Sequence, residues 1–598
     1  MSRASQACLS CRKQKRKCDK ALPTCGLCAR MSRACDYTET TGAGAGPGAP
    51  TAEDFLALQE RLAELENRLR RNGSDADGVV AGSRPPGGSE PLWLPPGSSS
   101  RSFPSAVFLD IDAFKWAQLT IPRPAVEIPR EVVEVLGRGN AVPDAAGEFF
   151  DSVHVWFPFI SRKRLGAIMG GGGGGGGENG GGAPQPDVAL LSLGMLLVTT
   201  REIADGVDAR ANPWYAAAKR FLSLLEGAGM VSLVCLQAMV LVALYEFGHG
   251  IYPAAWMSVG QCARYMDVLG IPSFRESCVV LGTASTWTEV EERRRVWWAV
   301  YVLDRAICLG NRRRCMVPEP EDHFVFPVDD EAWNEGDPAR SIQHPITTPL
   351  DQPQGAFARL CQSAMLASQV LAHRQTALHN YRNNHPQPFD LASVTSLATA
   401  LNTFNLTVRG QLPKVPPENY FPAAAPPVST GCATGDGSST ASCSQVYFGY
   451  LAPRCVALSG LILLMDAYAC PEDLRDGPTP GGLEGATGPR TTDEMTMQAM
   501  AVNSLRETAF LVRDVGLELL EAAMLPKAQE RVSCLCLDTF YGALATLHWL
   551  HKENGNQDVQ TALSDVARVI ARTGMRWKAA DEYMGIIEVF YNSSSSSS

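Results

Sequence analysis

The sequence predicts a mostly α protein, made of a small cysteine-stapled head, a short coiled coil and a large all-α body. Three observations lead there. Six cysteines crowd into the stretch Cys8 to Cys35. A heptad-like seam of apolar residues follows between Phe55 and Leu69. Apolar residues at helical spacing, interrupted by Pro/Gly/Ser loops, then fill most of the chain as far as Asn592.

The head has the spacing C-x2-C-x6-C-x6-C-x2-C-x6-C, through Cys8, Cys11, Cys18, Cys25, Cys28 and Cys35. Thiols this dense are either a disulfide framework or a metal site. No apolar stretch of signal-peptide length precedes them, which favours a reducing compartment and thiolate–metal bonds. All-sulfur ligation suits Zn²⁺, which takes four ligands tetrahedrally. One ion leaves two cysteines idle. Two Zn²⁺ need eight ligand positions, which six thiolates fill only if two of them bridge. The repeated half-motif makes Cys8 and Cys25 equivalent, hence the candidate bridges. Two dications and six thiolates sum to −2, a charge that the lysines and arginines nearby offset.

Charge is split along the chain. The 598 residues carry a net −10, yet residues 1–39 hold nine basic against three acidic side chains, a net +6 that leaves −16 for the remainder. A basic head on an acidic body is the asymmetry of a nucleic-acid-binding module joined to a regulatory one. A hydrophobic fraction of 45% allows a sizeable core. The other twelve of the 18 cysteines are scattered without paired metal spacing and read as reduced core residues. No apolar run reaches the length of a membrane span by inspection; the nearest, Met230 to Tyr245, reads as a buried helix.

The head resembles the DNA-binding domain of fungal Zn2Cys6 binuclear-cluster transcription factors. The six cysteines, the basic run Arg12-Lys13-Gln14-Lys15-Arg16-Lys17 and Pro23 between the halves carry the likeness, over about the first 38 residues. It implies a domain at 1–38 whose first short helix enters the major groove and recognises a CGG-type triplet through two adjacent lysines. Those positions are Gln14 and Lys15 here. Lys15 keeps the donor that suits guanine O6 and N7, whereas the neutral amide of Gln14 departs from the family pattern. Arg12, Lys13, Arg16 and Lys17 then hold phosphates. The alternative is a basic face that is merely solvated.

A Thr/Gly/Ala/Pro-rich linker is expected at 39–53. Residues 54–71 follow as a helix with Phe55, Leu58, Leu62, Leu65 and Leu69 stepping by 3 and 4, an a/d seam. With Phe55 at a, Arg61 and Glu66 meet across a parallel pair. Such a short coil implies a homodimer, as the family resemblance also does; the other reading is an amphipathic helix docked on its own chain. Residues 72–100 read as a disordered linker and 593–598 as a disordered serine tail.

The body is expected to comprise a helical region at 101–345 and a second at 346–592. Within the first, Trp256, Ala263-Arg264, Leu269-Gly270, the Arg293–Trp298 block and Leu303-Asp304-Arg305 resemble the middle homology region of the same family. Arg313-Arg314-Cys315 stands where that family commonly has Gly-Arg-Pro. Asp304 and the three arginines 293–295 are expected to form a buried ion network of structural character.

No nucleophile elbow, phosphate-binding loop or His-Glu-x-x-His motif is present, and His548-x-x-His551 lacks a third ligand in sequence, so no enzyme is expected. The resemblance implies a nuclear, sequence-specific regulator at RNA polymerase II promoters, bound to double-stranded DNA at paired half-sites with co-regulators and no membrane, of the kind that serves biosynthetic gene clusters. The basic run doubles as a nuclear-import signal. A zinc-stabilised interaction scaffold without base reading is the other class.

Overall fold

The computed structural model describes residues 7, 11, 17–21, 23–31, 35, 106–116, 121–170, 185–200, 208–271, 279–311, 313–382, 390–412, 443–469, 492–523 and 527–589. The chain divides into two compact units, Met1–Ser99 and Ser100–Ser598. The seam Phe55–Leu69, most of the basic run and the linkers lie outside the described residues.

In the head, the short helix α1 (Gly26–Arg30) opens on Cys25, whose sulfur accepts the Cys28 N–H. Pro23 and Thr24 form the bend before it. Its apolar contact group is cysteines apart from one leucine: Cys11, Cys25 and Cys28 are buried, with Cys18, Leu27 and Cys35 against them. A core this small does not hold a fold by burial alone.

The body is helical, and the only β pairing among its described residues is the isolated bridge between Val325 and Pro345. Its first half runs through α2 (Ala141–Asp151), α3 (Pro186–Thr199), α4 (Pro213–Gly227), α5 (Leu233–Gly248), α6 (Ala254–Val268) and α7 (Trp287–Asn311). Starts are set by local chemistry. Asn212 and Ser232 cap α4 and α5 by accepting the N–H of Trp214 and Cys235, and Pro occupies the first turn of α3 and α4, where its missing donor costs nothing. Helix α6 stops at a glycine: Leu269 ends it and Gly270 has φ +67°, the left-handed conformation that favours glycine. Most of the Met230–Tyr245 stretch lies in α5, which is buried on nearly every face.

The second half contains α8 (Ala356–Arg382), α9 (Leu391–Gln411), α10 (Cys443–Ala469), α11 (Thr492–Ala522), α12 (Leu537–Asn554), α13 (Gln557–Gly574) and α14 (Ala579–Ile587). Helix α3 packs on α5, α6 on α7, α7 on α8, α8 on α10, α10 on α11, and α11 on α12. One hydrophobic cluster extends from Val132 to Ile587, so residues 101–345 and 346–592 share a core.

Helix α10 differs from the sequence reading. Residues Gln445–Ala469 have a mean hydropathy of 1.6 over an 18-residue window, long and apolar enough by composition to cross a bilayer, and 89% of that window is buried in the body. Arg454 and Asp466 interrupt the run by eye; Arg454 is buried and reaches Glu518 on α11 at 3.5 Å.

The chain closes on itself at Trp577. This indole is fully buried, donates to the Val532 carbonyl at 2.8 Å and lies against Gly248 at the end of α5. A Cβ on Gly248 would come within 2.6 Å of Trp577 Cζ3, far inside normal contact.

Candidate metal centre and the charged frame of the body

Of the six cysteines predicted as ligands, Cys11, Cys18, Cys25, Cys28 and Cys35 are described and Cys8 is not. The fold brings them together. Cys11 Sγ lies 3.7 Å from Cys25 Sγ and 4.0 Å from Cys28 Sγ. Cys25 belongs to two ligand groups: Cys11, Cys25 and Cys28 form one, and Cys18, Asp19 and Cys25 the other, each with donor atoms within 4.8 Å of one another. Cys35 accepts the Cys25 N–H at 3.3 Å, which draws the last cysteine to the same place. Sulfur donors at this separation fit a thiolate-bound metal.

Burial raises the Cys25 thiol pKa, but hydrogen bonds from the Cys28 N–H and from the Cys28, Cys11 and Cys18 thiols outweigh it, and the net shift is downward. Its environment thus favours the thiolate, the form that binds metal.

Asp19 was not anticipated from sequence. Its carboxylate accepts the Gly26 N–H through both oxygens, at 3.1 and 3.0 Å, and ties the first half-motif to the start of α1. A Cβ on Gly26 would meet Asp19 Oδ2 at 2.6 Å, so the close approach depends on glycine. The available signal was its place directly after Cys18 as one of three acids in a basic head. Lys17 is exposed; Arg12, Lys13, Gln14, Lys15 and Arg16 lie outside the described residues, as do Phe55, Leu58, Leu62, Leu65 and Leu69.

In the body, the expected single ion network is two. The arginines 293–295 do not meet Asp304. Arg293 pairs with Glu289 at 2.7 Å, Arg294 with Glu291, and Arg295 with Glu291 at 3.0 Å and Asp330 at 2.7 Å. Arg295 also donates to the carbonyls of Pro158 and Val328 at 3.0 and 2.7 Å, and its guanidinium stacks 4.0 Å from the Trp333 ring. Arg164 adds bonds to Glu289 and Glu292. Asp304 instead accepts the N–H groups of Met316 and Val317, each at 2.9 Å, and pairs with Arg305, which reaches Glu319 at 2.7 Å. The reason is helical period: residues 293–295 and Asp304 sit about three turns apart on α7 and meet different loops. Asp304 thus anchors the segment after Arg313-Arg314-Cys315.

His548 and His551 are not part of a ligand group among the described residues. Cys534 and Cys536 are buried free thiols whose pKa burial raises, as core cysteines do.

Comparison with known proteins agrees with this geometry. The model of the fungal Zn(2)-Cys(6) binuclear cluster domain matches residues 6–43, and that of the fungal specific transcription factor domain matches residues 146–393. The transcription factor BOA15 of Botryotinia fuckeliana is 32% identical over 190 residues, 32% of this chain and 98% of that protein. The depudecin biosynthesis cluster-specific transcription activator DEP6 of Fusarium langsethiae is 26% identical over 52% of this chain, which spans only 58% of that relative. The citrinin biosynthesis transcriptional activator mrl3 of Monascus ruber is 23% identical over 62% of this chain and 73% of its own length. With its cysteine head and its helical body both matched, the chain belongs to the fungal transcription factors built on a Zn(2)-Cys(6) binuclear cluster.

Proposed function

We propose that this transcription factor acts in the nucleus as the sequence-specific activator of a biosynthetic gene cluster, binding paired CGG-type triplets as a homodimer joined through Phe55–Leu69. The names of the relatives that regulate depudecin and citrinin biosynthesis support the pathway class. The head would hold two Zn²⁺ through Cys8, Cys11, Cys18, Cys25, Cys28 and Cys35. The observation that carries this reading is the membership of Cys25 in two ligand groups, the position a bridging thiolate requires. Zinc supplies the cross-links that so small a head lacks as core. The basic run then faces DNA with Lys15 as the main base reader and Gln14 shifting or relaxing the triplet.

The test is a selection of the full chain on randomised DNA. Lys15→Ala is expected to cost about 1–3 kcal/mol on the preferred site and to flatten discrimination, whereas Lys13→Ala weakens all sequences alike and lowers the salt dependence. Enrichment of the same triplet at the same strength by Lys15→Ala would overturn the assignment.

A further inference from the structure

The body contains a cavity of about 400 Å³ where the last turn of α7 meets α10, α11 and α12. Its apolar wall includes Ile462 and Leu505, its aromatic wall Tyr541 and Trp549, and its polar end Ser459 and Asp538. None of its lining residues is basic. Asp466 also lines it, but that carboxylate is half exposed and faces Arg374 at 3.7 Å.

Asp538 is different. It sits in the first turn of α12, partly buried, beside Ser459 on the cavity wall, and among the described residues it forms no ion pair with a cationic side chain. The α12 dipole favours a carboxylate here, but only a fraction of a unit charge stands at a helix start. Glu291, Glu292 and Asp304 in the body are matched by Arg295, Arg164 and Arg305, and the buried Asp187, which does not line this cavity, accepts the Ser232 hydroxyl and the Val188 N–H instead. An unmatched acid at the polar end of a cavity with aromatic and apolar walls has the layout of a small-molecule site in which one charged group fixes orientation.

We propose that this cavity binds a small monocationic amine with an apolar or aryl tail. The ammonium would pair with Asp538 and the tail would lie along Tyr541, Trp549 and Leu505, where ring faces add cation–π attraction.

The experiment is calorimetric titration of the full-length zinc-loaded chain with 3-phenylpropylamine, with the neutral 3-phenylpropan-1-ol of similar shape, and with the anion 3-phenylpropanoate. The amine is expected to bind at least tenfold tighter than the alcohol, and the anion not at all. Asp538→Asn, which keeps the shape and removes the charge, should erase the preference for the amine. Ala545→Leu, which narrows the cavity without touching the acid, should weaken amine and alcohol together, and it serves as the test on its own if Asp538→Asn does not fold. Equal binding of amine and alcohol, survival of the preference in Asp538→Asn, unchanged amine affinity in Ala545→Leu, or no heat from the amine at millimolar concentration would each overturn the proposal.

Discussion

Replacing Arg295 with methionine is the sharpest test of the body's architecture. The side chain is fully buried and joins four separate parts of the fold: Glu291 on α7, the Pro158 and Val328 carbonyls, and Asp330 in the short helix Asp330–Glu335. Methionine fills much of the same volume, so the cavity penalty is small. What remains is charge. Glu291, itself fully buried, would keep the part-exposed Arg294 and the Val328 N–H but lose its fully buried cationic partner. Asp330 is 27% exposed and recovers some hydration. Removing one member of a buried pair costs about 3–5 kcal/mol. The partial relief at both acids places the expectation near the lower end, at about 3 kcal/mol, a large share of the ~5–15 kcal/mol that stabilises a typical domain. Urea unfolding of the full chain, followed by fluorescence of the buried Trp297, Trp298 and Trp333, should show the midpoint fall with the slope unchanged. Adding Glu291→Gln to Arg295→Met should restore about 1 kcal/mol, because the orphaned charge is then gone. Lysine should not rescue, since a single ammonium cannot reach four acceptors in a planar fork. A loss under about 1 kcal/mol for Arg295→Met, or strict additivity in the double variant, would refute the network as a structural joint.

Three further expectations follow from the same geometry. Cys25→Ser should release more zinc than Cys35→Ser, read by metal analysis of the purified chain, and a wild-type content of one zinc rather than two would contradict the bridging assignment. Leu62→Pro should abolish dimers in sedimentation and weaken binding to two-site DNA while zinc content stays intact, because proline within a helix costs about 3 kcal/mol or more. Gly248→Ala should lower the body's stability by about 1–3 kcal/mol in the same urea assay, through the forced displacement of Trp577.

The head could be read from spacing because metal ligation imposes fixed sequence intervals, and the cysteines described do converge. Helices such as α5 and α6 were legible because burial imprints a local period, with Ser232 and Gly270 marking ends by residue-specific backbone chemistry. The distant partners of the arginines were not. Arg295 bonds a carbonyl 137 residues away, and Ser161 lends its N–H to Glu292 across 131. Within a helix ion pairs follow i,i+3 and i,i+4 spacing, as Glu289 and Glu291 do with arginines 293–295, but pairs between elements have no sequence period, and grouping Asp304 with those arginines by mere proximity in the chain placed it in the wrong network. Helix α10 escaped notice for a related reason: counting charges misses that Arg454 and Asp466 each face a partner on the helix margin. Asp19 was hidden because a short capping carboxylate looks the same in sequence as a solvated one.

The seating of Trp577 against Gly248 has a consequence for how the protein is made. The neighbouring contact, Lys578 N–H to the His249 ring, joins residues 329 apart. At ribosomal rates of about 5–20 residues per second, α5 waits roughly 16–66 s after emerging before the residue that covers its end is synthesised. For that interval one of the most apolar helices of the chain lacks its cover, while the cysteine segment, complete within the first few dozen residues, needs only metal. The DNA-reading end of a nascent chain can therefore mature well before its body, and the body's yield in a cell should be the more sensitive to chaperone supply.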